Sequence, residues 1–202
     1  HTGSPCAVEV AAAVSPGIRF AFPDGASYLV EEAVPEGDGR GSSLTFPNGI
    51  TIRTVEHLMS GLAGTGLWSA TIRVEGPEIP GLDGSAADFS GRLRDLSKTG
   101  GKTSPEPLRV AVPVTVREQC KTLAILPAEF FGVTCVIDYP GTWIGTQAYQ
   151  AERLDEGTYI EEISRARTFC LESELDQLKA AGLGKGGNLG NAVVVGPGGP
   201  LN

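Results

Sequence analysis

Thr54-Val55-Glu56-His57-Leu58-Met59-Ser60-Gly61-Leu62-Ala63-Gly64 is the stretch around which this chain organises itself. Thr54 is a residue type that caps helix N-termini. Val55, Leu58, Met59 and Leu62 recur at helical spacing, so the run predicts a short amphipathic helix ended by Gly64 and Gly66. The apolar face centres near Val55, which places Glu56 roughly 100° and His57 roughly 200° around the wheel, both off the core. Strand-like runs lie on either side: Leu44-Thr45-Phe46 and Ile50-Thr51-Ile52 before it, residues 70–74 after it. A helix embedded among strands, without regular β-α alternation, points to an α+β architecture.

Working outward, residues 7–14 and 18–22 read as strands divided by Ser15-Pro16-Gly17, and residues 36–43 as a polar, glycine-rich loop. Asn48-Gly49 between apolar runs predicts a hairpin with a primed turn. After a proline-rich loop from residue 76 to 84, Ser85 and Asp88 form a capping-box pattern ahead of a helix with Ala86, Phe89, Leu93 and Leu96 inward. Residues 97–107, with Gly100-Gly101 and two prolines, read as a linker. The pattern then restarts. Residues 108–116, 122–126 and 131–138 read as strands, and Thr158 with Glu161 caps a helix that turns Ile160 and Ile163 inward. A further helix over 172–181 carries Leu175 and Leu178 and stops at Gly182, and residues 192–195 form a short buried strand. Both halves put strands first and helices later, which predicts two α+β units, residues 1–103 and 104–202, each a sheet covered by helices, the second incomplete at its C-terminal side.

Composition narrows the function. The 202 residues are 41% apolar, enough for a packed core, and the net charge of −8 argues against nucleic acid or an anionic lipid surface as the main partner. No run approaches the about 20 apolar residues of a membrane span, so a soluble, cytoplasmic protein is expected. No partner protein is evident. Cys6, Cys120, Cys135 and Cys170 form no Cys-x-x-Cys pair and are expected as small buried hydrophobes. The chain opens on His1-Thr2-Gly3 and closes on Leu201-Asn202, which reads as a cut through a longer protein.

The glycine-rich run from Gly184 to Gly190 is the wrong shape for a phosphate loop, because a helix precedes it and a strand follows. It reads as a tight connection in which Lys185 could still meet a substrate anion. Glu78 and Asp83 read as loop-capping groups rather than a glycosidase carboxylate pair. No Gly-x-Ser-x-Gly elbow is present. Glu56-His57 on an exposed helical face is the most informative pair, although one imidazole alone is not a metal site.

Five strings taken together resemble the UDP-3-O-acyl-N-acetylglucosamine deacetylases, zinc amidases of lipid A synthesis. They are His1-Thr2-Gly3; the Thr54 to Gly64 helix; Pro77-Glu78-Ile79-Pro80-Gly81-Leu82-Asp83-Gly84-Ser85-Ala86; Ser164-Arg165-Ala166-Arg167-Thr168-Phe169; and Gly182-Leu183 through Gly186-Gly187 to Asn191-Ala192-Val193-Val194-Val195. The resemblance implies two related two-layer α+β domains with the active site in the cleft between them. It implies a UDP-linked N-acetylglucosamine bearing a 3-O-hydroxyacyl chain as substrate, and Zn2+ as cofactor. By the same resemblance His57 is a zinc ligand, Glu56 the general base and Thr168 an oxyanion donor, Phe169 lines the substrate passage and His1 sits in a loop near the pocket; Lys185 is a candidate substrate contact from the loop reading above. The chemistry matches these roles, since zinc activates water and polarises the amide while a carboxylate moves the proton. The family's His-x-x-x-Asp ligand pair and its later general-acid His do not occur in these 202 residues, and its common His-Pro is Tyr139-Pro140. The chain by itself is therefore expected to be inactive. The competing expectation is a non-catalytic homologue that binds a nucleotide sugar or a partner protein.

Overall fold

The computed structural model describes residues 2–37, 41–99 and 106–202. In chain order the first half contains β1 (Ala7–Ala12), β2 (Gly17–Ala21), β3 (Ser27–Leu29), β4 (Val34–Gly37), β5 (Ser42–Thr45), β6 (Thr51–Arg53), α1 (Glu56–Gly64), β7 (Ser69–Glu75) and α2 (Ala87–Thr99). Four strands make a mixed sheet in the order β1-β7-β2-β3, with β7 antiparallel to β1 and parallel to β2. A second, antiparallel sheet runs β4-β5-β6. Alternation along the strands buries Ile18 and Phe20 of β2 and Ala70, Ile72 and Val74 of β7 on one face. Leu58 and Leu62 of α1 and Phe89 and Leu93 of α2 close over that core. The two helices approach closely at Gly61, where a Cβ would stand 3.1 Å from Leu93 Cδ1 and 3.2 Å from Phe89 Cβ.

The second half contains β8 (Val114–Glu118), β9 (Lys121–Ile125), β10 (Val133–Tyr139), β11 (Gly145–Ala151), α3 (Glu156–Thr158), β12 (Phe169–Leu171), α4 (Leu175–Ala180), β13 (Val193–Gly196) and β14 (Gly199–Pro200). Strands β8-β9 and β10-β11 are antiparallel ribbons. β12 and β13 pair in parallel, as a strand pair joined by a helical crossover must, and β14 returns antiparallel. The whole is α+β, as the arrangement of strand and helix signals implies. The linker over 97–107 and the boundary between 103 and 104 lie largely outside the described residues, as does the middle of the loop over 36–43. The flanks of that loop are strands β4 and β5.

One side chain from the second half enters the first. Past α3 the chain makes a wide helical turn, Tyr159–Ile163, and Tyr159 is buried. Its hydroxyl lies 2.9 Å from Ser60 Oγ of α1 and 3.4 Å from Ser90 Oγ of α2. Gly64 leaves room for the ring, since any Cβ there would overlap it. The sequence assigned the inward face to Ile160 and Ile163 and the cap to Thr158. Instead Asp155 is the cap, accepting the Thr158 amide at 2.9 Å, and Tyr159 is the buried residue because its hydroxyl finds two serine partners.

Other local expectations are corrected by identifiable competitors. Asn48-Gly49 does not form a two-residue primed turn. Gly49 N–H bonds to Phe46 O at 2.8 Å and only Gly49 has positive φ, because Pro47 fixes the first turn position near φ −65° and shifts the turn back by one residue. Residues 108–113 are not strand, and the strand β11 lacks the apolar alternation that would have revealed it. The cysteines are not buried: Cys120 and Cys135 are exposed on two-stranded ribbons whose faces meet solvent, and Cys6 and Cys170 are half-buried. α4, by contrast, ends as expected, with Gly182 at φ 69° and Leu183 N–H bonded to Leu178 O.

Leu58 has no exposed surface. Truncation in Leu58→Ala is expected to cost about 2–5 kcal/mol by urea unfolding, the range for a buried leucine; a loss below about 1 kcal/mol would mean that α1 is not packed as described.

Candidate active site

Glu56 and His57 occupy the first turn of α1, and both are half-buried. The peptide of Ser42 brackets this helix start: its carbonyl accepts from Val55 N–H at 3.2 Å, and its N–H donates to Glu56 Oε2 at 3.1 Å. A carboxylate at a helix N-terminus is also favoured by the helix dipole. Thr54 does not cap the helix. It takes φ 57°, an uncommon conformation for a β-branched residue, and turns its hydroxyl toward Glu78 Oε2 at 3.5 Å.

The loop before α2 carries the link to the second half. Gly84 O accepts from Thr168 N–H at 2.7 Å, Ala86 N–H donates to Ser164 O at 3.0 Å, and Arg167 Nε donates to Asp83 O at 2.7 Å. A Cβ at Gly84 would lie 2.2 Å from Asn191 O and 3.3 Å from Thr168 Cγ2, so only glycine fits, and its φ of 84° suits glycine as well. Ser85 donates to Asp83 Oδ1 from hydroxyl and amide, and Ser85 Oγ accepts from Ala87 N–H at the start of α2. The Ser85 hydroxyl bond, opposed by burial and helped by the Ser85 amide and the Arg167 charge, holds the Asp83 carboxyl below the usual carboxylate range.

Thr168 thus stands on a braced backbone, its N–H on Gly84 and its carbonyl accepting from Val193 N–H at 2.9 Å. Phe169, next along at the start of β12, meets Tyr139 edge to face with ring centroids 5.5 Å apart. Lys185 is exposed, in a loop whose amides are used internally: Gly187 N–H on Gly184 O, Asn188 N–H on Asn191 Oδ1, Gly190 N–H on Asn188 Oδ1. Those bonds support the reading of a tight connection rather than an anion cradle. A Cβ at Gly3 would come within 2.9 Å of Lys185 Cβ, so the N-terminal segment lies against this loop. His1 lies outside the described residues.

The structure therefore gathers the expected residues into two groups, Glu56 with His57 and Thr168 with Phe169, and connects them through the loop over 76–84. Sequence reasoning missed Arg167 as a strut, which also donates to Leu189 O at 3.3 Å. It also missed Tyr139 beside Phe169. Among the described residues no group of three His, Cys, Asp or Glu side chains is placed to hold a metal ion, so the donors present, with His57 as a lone imidazole, do not make a metal site by themselves.

An α+β frame with a half-buried Glu-His pair on one helix and a braced threonine across a shared loop fits a hydrolase-type site. The family model described as "LpxC: UDP-3-O-acyl N-acetylglycosamine deacetylase" matches residues 1–202, and the chain belongs to that family. Among curated relatives, the UDP-3-O-acyl-N-acetylglucosamine deacetylase of Syntrophotalea carbinolica is 36% identical over 92% of this chain and 60% of its own length. The proteins of that name from Anaeromyxobacter dehalogenans and Phenylobacterium zucineum are 35% and 36% identical, over 96% of this chain in each case and 63% and 68% of their own lengths. The chain thus spans about three-fifths to two-thirds of the length of these three relatives.

Two outcomes test the site's scaffold. Asp83 has a lowered folded-state pKa, so it contributes stability above its unfolded value, and that contribution disappears as pH falls through the folded value. The stability gap between the native protein and Asp83→Asn should be constant near neutrality and shrink below about pH 4; a gap that widens on acidification would contradict the assignment. Gly84→Ala should separate residues 164–168 from the loop, seen as faster amide exchange at Thr168, and unchanged exchange would count against the contact.

Proposed function

We propose that this chain is the larger part of a deacetylase that hydrolyses the N-acetyl group of a UDP-linked, 3-O-acylated N-acetylglucosamine, releasing acetate, in lipid A synthesis in the cytoplasm. The family membership supports the reaction class, and the observation that carries the site is the docking of Thr168 on the loop that begins beside the Glu56-His57 helix. The chain divides in this reading into an α+β domain over 1–103 and a second over 104–202, with substrate in the cleft between them.

Glu56 receives the proton of the attacking water at its carboxylate; Ser42 N–H, bound to Oε2, fixes the side chain's direction. The Thr168 hydroxyl donates to the oxygen that becomes negative when water adds to the amide, and its braced backbone limits the reorganisation this needs. Lys185 offers an ammonium to the diphosphate and Phe169 lines the path of the acyl chain; His1, outside the described residues, is a further substrate contact in this reading. His57 supplies one ligand to a zinc ion. The described residues do not complete that site, so this reading takes the other ligands from elsewhere in the protein, and no step is routed through the ion.

Glu56→Gln in the whole protein should lower kcat by roughly 10²–10⁴-fold with secondary structure unchanged; near-normal turnover would reject Glu56 as the base. The 202-residue chain alone should neither retain zinc through gel filtration nor release acetate. Stoichiometric zinc in that chain by metal analysis would overturn the ligand assignment.

A further inference from the structure

Glu78 is a carboxylate with only 6% of its surface exposed, and the site as described above leaves it without a task. Its neighbours are specific. Thr2 N–H donates to Glu78 Oε1 at 3.1 Å, and Thr2 Oγ1 donates to the same oxygen at 2.7 Å. Thr54 Oγ1 faces Oε2 from the other side at 3.5 Å, and Thr54 is itself buried with φ 57°. The backbone repeats this connection: Arg53 N–H donates to Pro77 O at 3.0 Å and Ile79 N–H to Arg53 O at 2.9 Å, a parallel bridge that centres Glu78 on Arg53.

Thr54 and Thr2 lead from Glu78 to different arms of the site. Thr54 precedes Val55, Glu56 and His57, so the angle at which α1 starts is set where Thr54 leaves β6. Thr2 precedes Gly3, where an added Cβ would stand 2.9 Å from Lys185 Cβ. A buried carboxylate without hydrogen bonds is costly, so this group keeps its partners in place for as long as it stays ionised and buried. A left-handed β-branched residue also persists only where its surroundings over-determine it.

We propose that Glu78 is a positioning residue that fixes the Glu56-His57 helix start and the Thr2-Gly3 segment beside Lys185 relative to each other. It touches no reacting atom. It acts through Thr54 on one arm and through Thr2 on the other, and so couples the geometry of proton transfer to that of anion contact. The inference rests on the deacetylase reading for its kinetic consequences and on the structure alone for its positional ones.

The experiment uses the full-length protein in four forms: native, Glu78→Gln, Thr54→Val and the double variant, with Thr2→Val as a companion. Thr→Val keeps shape and backbone preference and removes only the hydroxyl. Amide hydrogen exchange is read at residues 3 and 55–58, and kcat and KM are read on the UDP-linked substrate. Glu78→Gln should speed exchange at both places and lower kcat by about 10- to 100-fold, the scale of a misplacement near 1 Å. Thr54→Val should reproduce the kcat loss and the exchange at 55–58 while leaving residue 3 unchanged, and should add little to Glu78→Gln because the two share one contact. Thr2→Val should do the converse, raising KM and loosening residue 3. Additive kcat losses in the double variant, or exchange unaltered at 55–58 in Glu78→Gln, would overturn the proposal. If Glu78→Gln does not fold, the two Thr→Val variants decide the matter by the same criteria. A native protein that fails to deacetylate overturns the activity proposed above, whereas exchange at 3 and 55–58 still decides for or against Glu78.

Discussion

The carbonyl of Gly84 accepts the amide hydrogen of Thr168 at 2.7 Å, and that approach depends on residue 84 having no Cβ, since one would stand 2.2 Å from Asn191 O. Much of the rest follows from this contact. Arg167 can reach Asp83 O and Leu189 O only with the two segments side by side, and Ala86 N–H meets Ser164 O one step further along. Beyond Ser164 the same packing seats Tyr159 between α1 and α2, against Gly64. Main-chain bonds of this kind are insensitive to side-chain identity except at the glycines, which is why Gly64 and Gly84 carry more constraint than their size suggests.

Where the sequence was legible, a periodicity met no competitor. Leu58 and Leu62 face the core four residues apart, which leaves Glu56 and His57 outward, and Gly182 stops α4 as its position implies. Where it was not legible, a tertiary partner or a neighbouring residue won. Thr54 is a residue type that caps helices, yet its hydroxyl turns toward Glu78, because β6 is pinned by Pro77 and Ile79. Pro47 displaced the turn at Asn48-Gly49. Tyr159 was invisible as a core residue because its burial requires Ser60 and Ser90, about 99 and 69 residues away in the chain.

The candidate site was legible in the same uneven way. The resemblance named Glu56, His57, Thr168 and Phe169 as candidates, and the loop reading named Lys185, because a motif displays residue chemistry. Arg167, Tyr139 and Glu78 act by position, and nothing in their spacing announces which backbone they will meet. The sequence placed Glu78 and Asp83 in a loop with capping roles; the bonds of Asp83 with Ser85 are of that local kind, whereas Glu78 instead bonds Thr2, 76 residues away in the chain. The loop between β7 and α2 is therefore both a connection and the part to which the first turn of α1 and the threonine of the second half are attached.

That attachment is the central claim, and native-state hydrogen exchange of the Thr168 and Ala86 amides tests it most directly. Their bonds to Gly84 O and Ser164 O cross between the halves, so both amides should be protected together and exchange by one shared opening, far more slowly than the amides of the exposed β8-β9 ribbon. Exchange at Thr168 as fast as in that ribbon, with the β7 core still protected, would show that the two halves of the site are not held together by this loop.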